Sequence, residues 1–377
     1  MVPPVPEPPH SLHAAGLSRP AQEVLVSVII PARNEEACLG ACLQSLVAQR
    51  GVSFEIIVVN DASTDRTPAI GESFAGSSRY VKVVEAGPLP RGWTGKSHAL
   101  AAGVTHARGA WLLFTDADTV HLPGSLATSL REAQEQGAAL LSYSPEQEVH
   151  GFWEKAVMPV IFAELTATYR TSEINDPASA AAAANGQYLL VQRDAYERVG
   201  GHAAIGHSLL EDVELARAFK RAGYRLLFRF GGGLVCTRMY RSFTQLCEGW
   251  TKNLALLFPD AGRLAGLRLT EFVLIACGAG AVTIFGARGA VLPAVACGLG
   301  AVGAYCNFWR RIRRAHFAWD ANLLALLGLP LFAFLLLRSK LSYQSGGVTW
   351  KGRTYGGAAI NWKASPPYRF RERPDLV

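Results

Sequence analysis

Four short apolar runs, at residues 24–30, 54–59, 80–85 and 110–114, are separated by stretches of helical periodicity in the first third of this chain. Runs this short and this rich in valine and isoleucine read as buried strands, whereas an amphipathic helix shows its apolar residues every third or fourth position. Strand and helix alternating at this spacing predict right-handed βαβ units around a mainly parallel sheet, an α/β fold. The second run ends in Asn60-Asp61, and the fourth leads through Thr115 into Asp116-Ala-Asp118. In open sheets of this kind ligands bind beyond the carboxyl ends of the strands, so these acids are the first candidates for chemistry.

The intervening helices are expected at 35–49, with Leu39, Leu43, Leu46 and Val47 on one face, from about Asp65, and at 97–107. Between 120 and 255 the pattern loosens. Helices are expected at 124–136, 152–169 and 211–222, the last closed by Gly223, with strands near 185–191, 224–230 and 234–238. The alanine run 178–184 suits either a helix or a loop. Residues 1–22, with repeated prolines and no apolar stretch long enough for a signal peptide or a spanning helix, are expected to form a loose tail.

Half of the 377 residues are hydrophobic, and the excess lies beyond residue 268. Segments 272–287, 290–309 and 321–337 are long and almost uncharged. The second reaches membrane-spanning length, the third sits at the lower limit, and the first reaches it only by taking in Glu271 or Arg288. Arg310, Arg311, Arg313 and Arg314 mark the loop between the last two as cytoplasmic, which predicts a multi-pass inner-membrane protein with a cytoplasmic N-terminal domain. If all three segments span, the basic tail 339–377 (Lys340, Lys351, Arg353, Lys363) falls on the far side, against the charge rule. A re-entrant first segment corrects the tail but puts the arginine loop outside, so two and three spans both stay open. The net charge of +7 is not organised as a basic helix interleaved with stacking aromatics, so a membrane surface is expected and nucleic acid is not. Seven scattered cysteines include no CxxC pair and are expected to be buried thiols in a reducing compartment.

In Pro31-Ala-Arg-Asn-Glu-Glu36, Asn34 suits a helix N-cap and Glu35 and Glu36 suit the helix dipole; the same turn suits one wall of a nucleotide pocket. Asp61 precedes a capped helix start and is expected to reach a base or ribose. Asp116 and Asp118 repel each other unless a cation offsets their charge, and with diphosphate oxygens they suit Mg2+ or Mn2+. Gly92-Trp-Thr-Gly-Lys96 has the wrong glycine spacing for a P-loop, but a lysine opening a helix suits phosphate. Asp212, with Glu211 beside it at a helix start, is the expected general base. His202 and His207 read as polar loop residues.

Assembled in order, Val-Ile-Ile-Pro-Ala-Arg-Asn-Glu, Val-Val-Asn-Asp-Ala-Ser-Thr-Asp, Thr-Asp-Ala-Asp and Leu-Glu-Asp resemble glycosyltransferase family 2, the inverting nucleotide-sugar enzymes of GT-A fold, over residues 24–253. Arg91-Gly-Trp-Thr-Gly-Lys-Ser-His98, Met239-Tyr-Arg-Ser-Phe243, Gly249-Trp-Thr-Lys-Asn253 and Trp350-Lys-Gly-Arg-Thr-Tyr355 look closest to its membrane branch associated with hopanoids and carotenoids, which also resembles ceramide glucosyltransferases. The resemblance implies a GT-A domain at 23–258 (nucleotide-sugar half 23–120, acceptor half 121–258), a membrane region at 268–338 and single-sugar transfer to a lipid-like acceptor. It places Pro31, Arg33, Asn34, Glu35, Asp61, Lys96 and Asp116 around a nucleotide-diphosphate sugar and Asp118 with Asp116 on the metal. Asp212 becomes the base that deprotonates the acceptor hydroxyl. Gly186, Trp250 and Lys252 fall on the acceptor or diphosphate side. The chain departs from processive relatives: Gln245-Leu-Cys-Glu-Gly-Trp250 lacks the arginine of their Gln/Arg-X-X-Arg-Trp motif, and their frequent N-terminal membrane helix is missing. Polysaccharide synthesis is the alternative. A sugar nucleotidylyltransferase would need a glycine-rich loop after the first strand, and a non-catalytic subunit would be expected to have lost an acid site.

Overall fold

A computed structural model describes residues 24–355. The expected tail at 1–22, and the basic tail beyond 355, lie outside the described residues.

The alternation predicted at the start is present: β1 (Val26–Ala32), α1 (Leu39–Val47), β2 (Phe54–Asn60), α2 (Thr67–Ser77), β3 (Val81–Glu85), α3 (Gly95–Val104) and β4 (Trp111–Phe114). Next come β5 (Thr119–His121), α4 (Ser125–Glu135), β6 (Leu140–Ser144), β7 (Glu146–Gln147), α5 (Phe152–Thr168), α6 (Thr171–Asn175), β8 (Leu189–Gln192), α7 (Arg193–Arg198) and α8 (Gly201–Ala204). The domain continues through α9 (Glu211–Arg221), β9 (Leu226–Phe230), β10 (Val235–Thr237) and α10 (Phe243–Leu257). Three long helices follow, α11 (Ala261–Ala287), α12 (Val291–Ile312) and α13 (Trp319–Gln344), then the hairpin strands β11 (Val348–Trp350) and β12 (Arg353–Tyr355).

The main sheet runs β3-β2-β1-β4-β8-β6-β9, parallel except where β8 pairs with β4 and β6. β2 is buried at every position, which explains why Ile56-Ile-Val-Val59 is apolar on both faces rather than alternating, and its one charge, Glu55, is paired with Arg108 and Ser27. On one face of the sheet Leu39, Leu43 and Leu46 of α1 pack against Val28, Ile30 and Ile56; on the other Leu100 and Phe219 pack against Ile29 and Ile57. Each fully buried aliphatic side chain contributes about 1.5–3 kcal/mol. The alanine run 178–184 is neither helix nor strand, and its last three residues are buried. Gly223 has φ +81° and closes α9 as expected.

The thiols differ from expectation. Cys42 and Cys247 are buried, but Cys277 and Cys306 are exposed on the long helices. Those helices also differ among themselves. All three are long and apolar enough to cross a membrane, yet half of the α13 apolar window is buried, against 11% and 6% for α11 and α12. α13 belongs to the same core as α5 and α10: Leu329, Phe332, Leu335 and Leu336 meet Val157, Ile161, Leu246 and Leu254. The approach is close enough that a Cβ on Gly328 would stand 1.9 Å from the carbonyl oxygen of Ala156. Gly328→Ala is therefore expected to force the helices apart and cost ~1–3 kcal/mol, as overpacking does. A lowered unfolding midpoint in detergent, with unchanged secondary structure, checks this.

Candidate active site

The carboxyl ends of β1, β2 and β4 open into a cavity of about 1130 Å³ whose far wall is built by α5, α9, α10 and the β11–β12 hairpin. Beyond β4 the chain turns sharply, with Thr119 N–H donating to the Asp116 carbonyl at 3.2 Å. Thr115 anchors the turn through its hydroxyl, which donates to the Gln187 carbonyl at 2.7 Å. Ala117 is driven into the core at 1% exposure, while Asp116 and Asp118 on either side line the cavity.

Lys96, in the first turn of α3, stands at the centre. Its ammonium is 2.7 Å from Asp116 Oδ1 and 2.8 Å from Glu211 Oε1, so it joins the strand-end acid to the first acid of α9. Burial disfavours its charge, but Asp116, Glu211 and Asp212 outweigh that and hold it well above the ordinary lysine value. Burial likewise disfavours charge on Glu211, and Lys96 and Lys252 more than reverse it, leaving its carboxyl below the usual range.

Asp212 has a different environment. Its Oδ2 accepts from the Gly186 N–H at 2.8 Å, and burial first, then the Glu211 charge, push its carboxyl up to about 6. Gly186 is confined: a Cβ there would sit 3.0 Å from Lys96 Nζ and 3.4 Å from both Asp212 Oδ2 and Glu211 Oε1. Two neighbouring acids are thus separated in role, one ionised against lysine and the other poised to take a proton near neutrality.

Asp118 is raised to about 7, by burial and then by Asp116 and Glu35. Its Oδ1 is buried with no hydrogen-bond partner among the described residues. A buried carboxylate oxygen left unpaired beside a second acid is what a divalent cation would satisfy, so the residues present fit Mg2+ or Mn2+. Among the described residues no group of three or more histidine, cysteine or acidic side chains gathers as a closed metal site. Most of an octahedron would come from diphosphate oxygens and water, as is usual for magnesium at phosphate sites.

One expectation for the nucleotide side needs correction. Asn34 does not cap a helix: α1 begins only at Leu39, and Asn34 takes a left-handed φ of 53°. Its side-chain oxygen accepts from Thr64 N–H at 2.8 Å, while its own N–H donates to Ser63 Oγ at 3.1 Å, stapling the β1 loop to the β2 loop. Asp61 is not free. Arg353 donates to Asp61 Oδ1 at 2.9 Å and pairs with Oδ2 as well. The guanidinium fits only because residue 95 is glycine; a Cβ there would stand 1.7 Å from Arg353 Nη1. Lys351 pairs with Glu35 and donates to the Arg33 carbonyl at 3.1 Å, and Arg33 donates to the Asp61 carbonyl at 2.7 Å. Pro31 lines the cavity at the end of β1.

On the acceptor side, Lys252 lines the cavity over the Trp350 ring at 5.0 Å, and burial holds its ammonium below the ordinary value despite Glu211. Trp250 stands in the wall, but its indole N–H donates to Met158 Sδ at 3.3 Å. It therefore packs the α5–α10 core and has no donor left for a ligand. His202 is buried against Tyr196, its ring nitrogen 2.9 Å from the phenol oxygen, and burial lowers it to about 4. It is a neutral structural group. Lys351 and Arg353 were missed as site residues; two cations flanking Gly352 in an aromatic stretch were the available signal.

Residues 27–200 match the family described as glycosyl transferase family 2. Over 349 residues the chain is 31% identical to 4,4'-diaponeurosporenoate glycosyltransferase of Staphylococcus aureus (strain USA300), with 88% of each chain covered. The protein of the same name from strain MRSA252 is 33% identical over 238 residues, 61% of this chain and 60% of that one. Among solved structures, mannosyltransferase PcManGT from Pyrobaculum calidifontis, in complex with GDP-Man and Mn2+, superposes with a TM-score of 0.50 at 19% identity, covering 86% of this chain and 88% of that one. The two share the GT-A fold.

Proposed function

The chain belongs to glycosyltransferase family 2, and from that premise we propose that it moves a single sugar, with inversion, from a nucleotide-diphosphate sugar to a long apolar acceptor at a membrane. The observation that carries this reading is the Asp212–Gly186–Lys96–Asp116 cluster, which opens on one side to the strand ends and on the other to an apolar wall. That wall, with Phe162, Leu165, Leu257 and Phe230, suits a polyisoprenoid or other lipid chain. The relatives' name, 4,4'-diaponeurosporenoate glycosyltransferase, supports an acceptor of carotenoid type.

Asp61, fixed by Arg353, orients the base or ribose, and Arg33, Asn34 and Glu35 form the wall beside it. Asp118 and Asp116 would hold the divalent cation, which when bound would supply positive charge to the leaving diphosphate. Lys96, 2.7 Å from Asp116, supports the same charge. Asp212 takes the proton from the acceptor hydroxyl. The acceptor oxygen bonds to the anomeric carbon as the bond to the diphosphate breaks, and the nucleoside diphosphate departs. Attack from the side opposite the leaving group inverts the configuration. The absence of the processive arginine motif supports one transfer per acceptor. The arginines 310–314 support a cytoplasmic face of the inner membrane for the catalytic domain.

Membranes bearing the protein, supplied with UDP- and GDP-sugars, Mg2+ or Mn2+ and lipid extract, are expected to form a glycolipid that excess chelator abolishes. No turnover of any donor would sink the reading, and full activity in chelator would sink the metal. The pH response has a definite sign. A base works with its proton off, so turnover is expected to be complete above pH ~7 and to fall as pH drops through about 6, the Asp212 value. Stability runs the other way: a carboxyl raised in the folded state favours folding in acid and loses that contribution as pH rises through 6. A fluorescence melt across the same range therefore separates titration of the base from unfolding.

Arg353→Ala is expected to raise the donor KM ~10–100-fold, the worth of a charge-assisted hydrogen bond pair, with kcat changed far less. Steady-state kinetics with varied donor check it.

A further inference from the structure

Two of the three apolar helices leave the catalytic domain and one does not. α11 and α12 pack against each other, Gly278 on Ala301, and meet in a turn at Gly289. Leu292, Leu299 and Val302 toward that tip are more than half exposed. At the other end the pair is fastened to α5: Glu164 holds Arg268 at 2.8 Å and Arg311 at 2.9 Å, and the same arginines hold Glu271. The hairpin has a base on the domain and an apolar tip away from it.

α13, 26 residues and about 39 Å long, has the reach to cross a hydrocarbon layer of ~30 Å. Both of its ends nevertheless stay on the domain. Before its start His316 stacks on Phe230 at 4.4 Å, and in its first turn Asp320 pairs with Lys155 at 2.6 Å. At its end the Ser339 hydroxyl donates to the Thr251 carbonyl and the Tyr343 hydroxyl to the Lys252 carbonyl, both at 2.6 Å, and Lys340 lies beside Gly262 at the beginning of α11. The side turned away from the domain carries Leu323, Leu327, Phe334 and Leu341, each more than half exposed. Seven residues after Gln344, Lys351 donates to the Arg33 carbonyl at the end of β1. Seven extended residues span at most ~25 Å, too little to bring a chain back through a bilayer.

We propose that α11 and α12 cross the membrane as one helical hairpin, and that α13 lies along the membrane boundary with its leucine stripe in the lipid and its other face on α5 and α10. This arrangement places the arginines 310–314 and the cations Lys340, Lys351 and Arg353 on one side, so both basic segments obey the charge rule that three crossings violate. It rests on the membrane reading of these helices and is independent of which sugar or acceptor is used.

Single cysteines introduced in the full-length protein test it: Ser73→Cys on the catalytic domain, Arg288→Cys at the hairpin tip and Ser345→Cys after α13. In sealed vesicles treated with a membrane-impermeant maleimide, with modified sites identified by peptide mass spectrometry and permeabilised vesicles as reference, positions 73 and 345 are expected to label from one face and 288 from the other. Position 345 labelling together with 288 would restore three crossings and overturn the proposal. All three labelling from one face would also overturn it, by leaving no crossing at all. Glycosyl transfer measured in the same vesicles is a separate readout, so a failed topology and a failed catalytic reading are told apart.

Discussion

Asp212→Asn is expected to lower kcat by ~10²–10⁴-fold, the usual contribution of a positioned general base, while leaving donor affinity within a few-fold. Asparagine keeps the volume and can still accept from the Gly186 N–H, which holds the side chain at 2.8 Å in the native protein, so the loop should not move. What it loses is the capacity to carry a proton. The effect should therefore fall on turnover with saturating donor and acceptor, and donor binding followed by calorimetry should be preserved. A variant retaining more than a tenth of wild-type kcat would remove Asp212 from the chemistry. Asp212→Glu makes a useful companion: it retains the acid but lengthens it toward Lys96, and an intermediate rate would show that position matters as well as charge.

The second large effect is expected from Asp118→Asn. Asp118 Oδ1 is buried without a partner among the described residues, and its charge is disfavoured by burial, Asp116 and Glu35. An amide there relieves the repulsion, so the protein should melt no lower than wild type. It should also bind Mn2+ at least ~100-fold more weakly, which a carboxylate-to-amide exchange in a two-acid site would produce at ~2.7 kcal/mol. Electron paramagnetic resonance of free Mn2+ reads the affinity directly, and activity should fall in parallel. Unchanged Mn2+ affinity would place the cation elsewhere.

The parts of the site that were legible in the sequence are those whose physics is local. β1, β2 and β4 are buried on both faces, which forces mainly apolar runs, and the acids beyond their ends stand out against them. Glu211 and Asp212 announce themselves as helix-opening acids. The functions of individual loop residues were harder. Asn34 reads as a cap because it precedes acids and an amphipathic stretch, but the loop runs four residues further and spends its side chain on Thr64. β6, whose Leu140-Leu-Ser-Tyr-Ser144 mixes apolar and polar residues, gains its strand character only from β8 and β9, each far along the chain. The contact of Arg353 with Asp61 spans 292 positions, and no periodicity carries information over that distance. The half-burial of helix α13 was not legible for a different reason. Hydropathy scores a leucine alike whether it meets lipid or the apolar side of another helix; only the small and polar positions on its inner face, Gly328 and Ser339, distinguish the two, and they are sparse.

The place of the β11–β12 hairpin in the chain has a consequence for biosynthesis. Residues 348–355 leave the ribosome after all three apolar helices, so Asp61 and Glu35 wait for their cations until each of those helices has been made. A nascent chain stalled before that point, or one clipped after Gln344, carries the strand-end acids with those carboxylates unpaired. The wall that Lys351 and Arg353 add to the cavity beyond the strand ends is therefore built after the three apolar helices have been made.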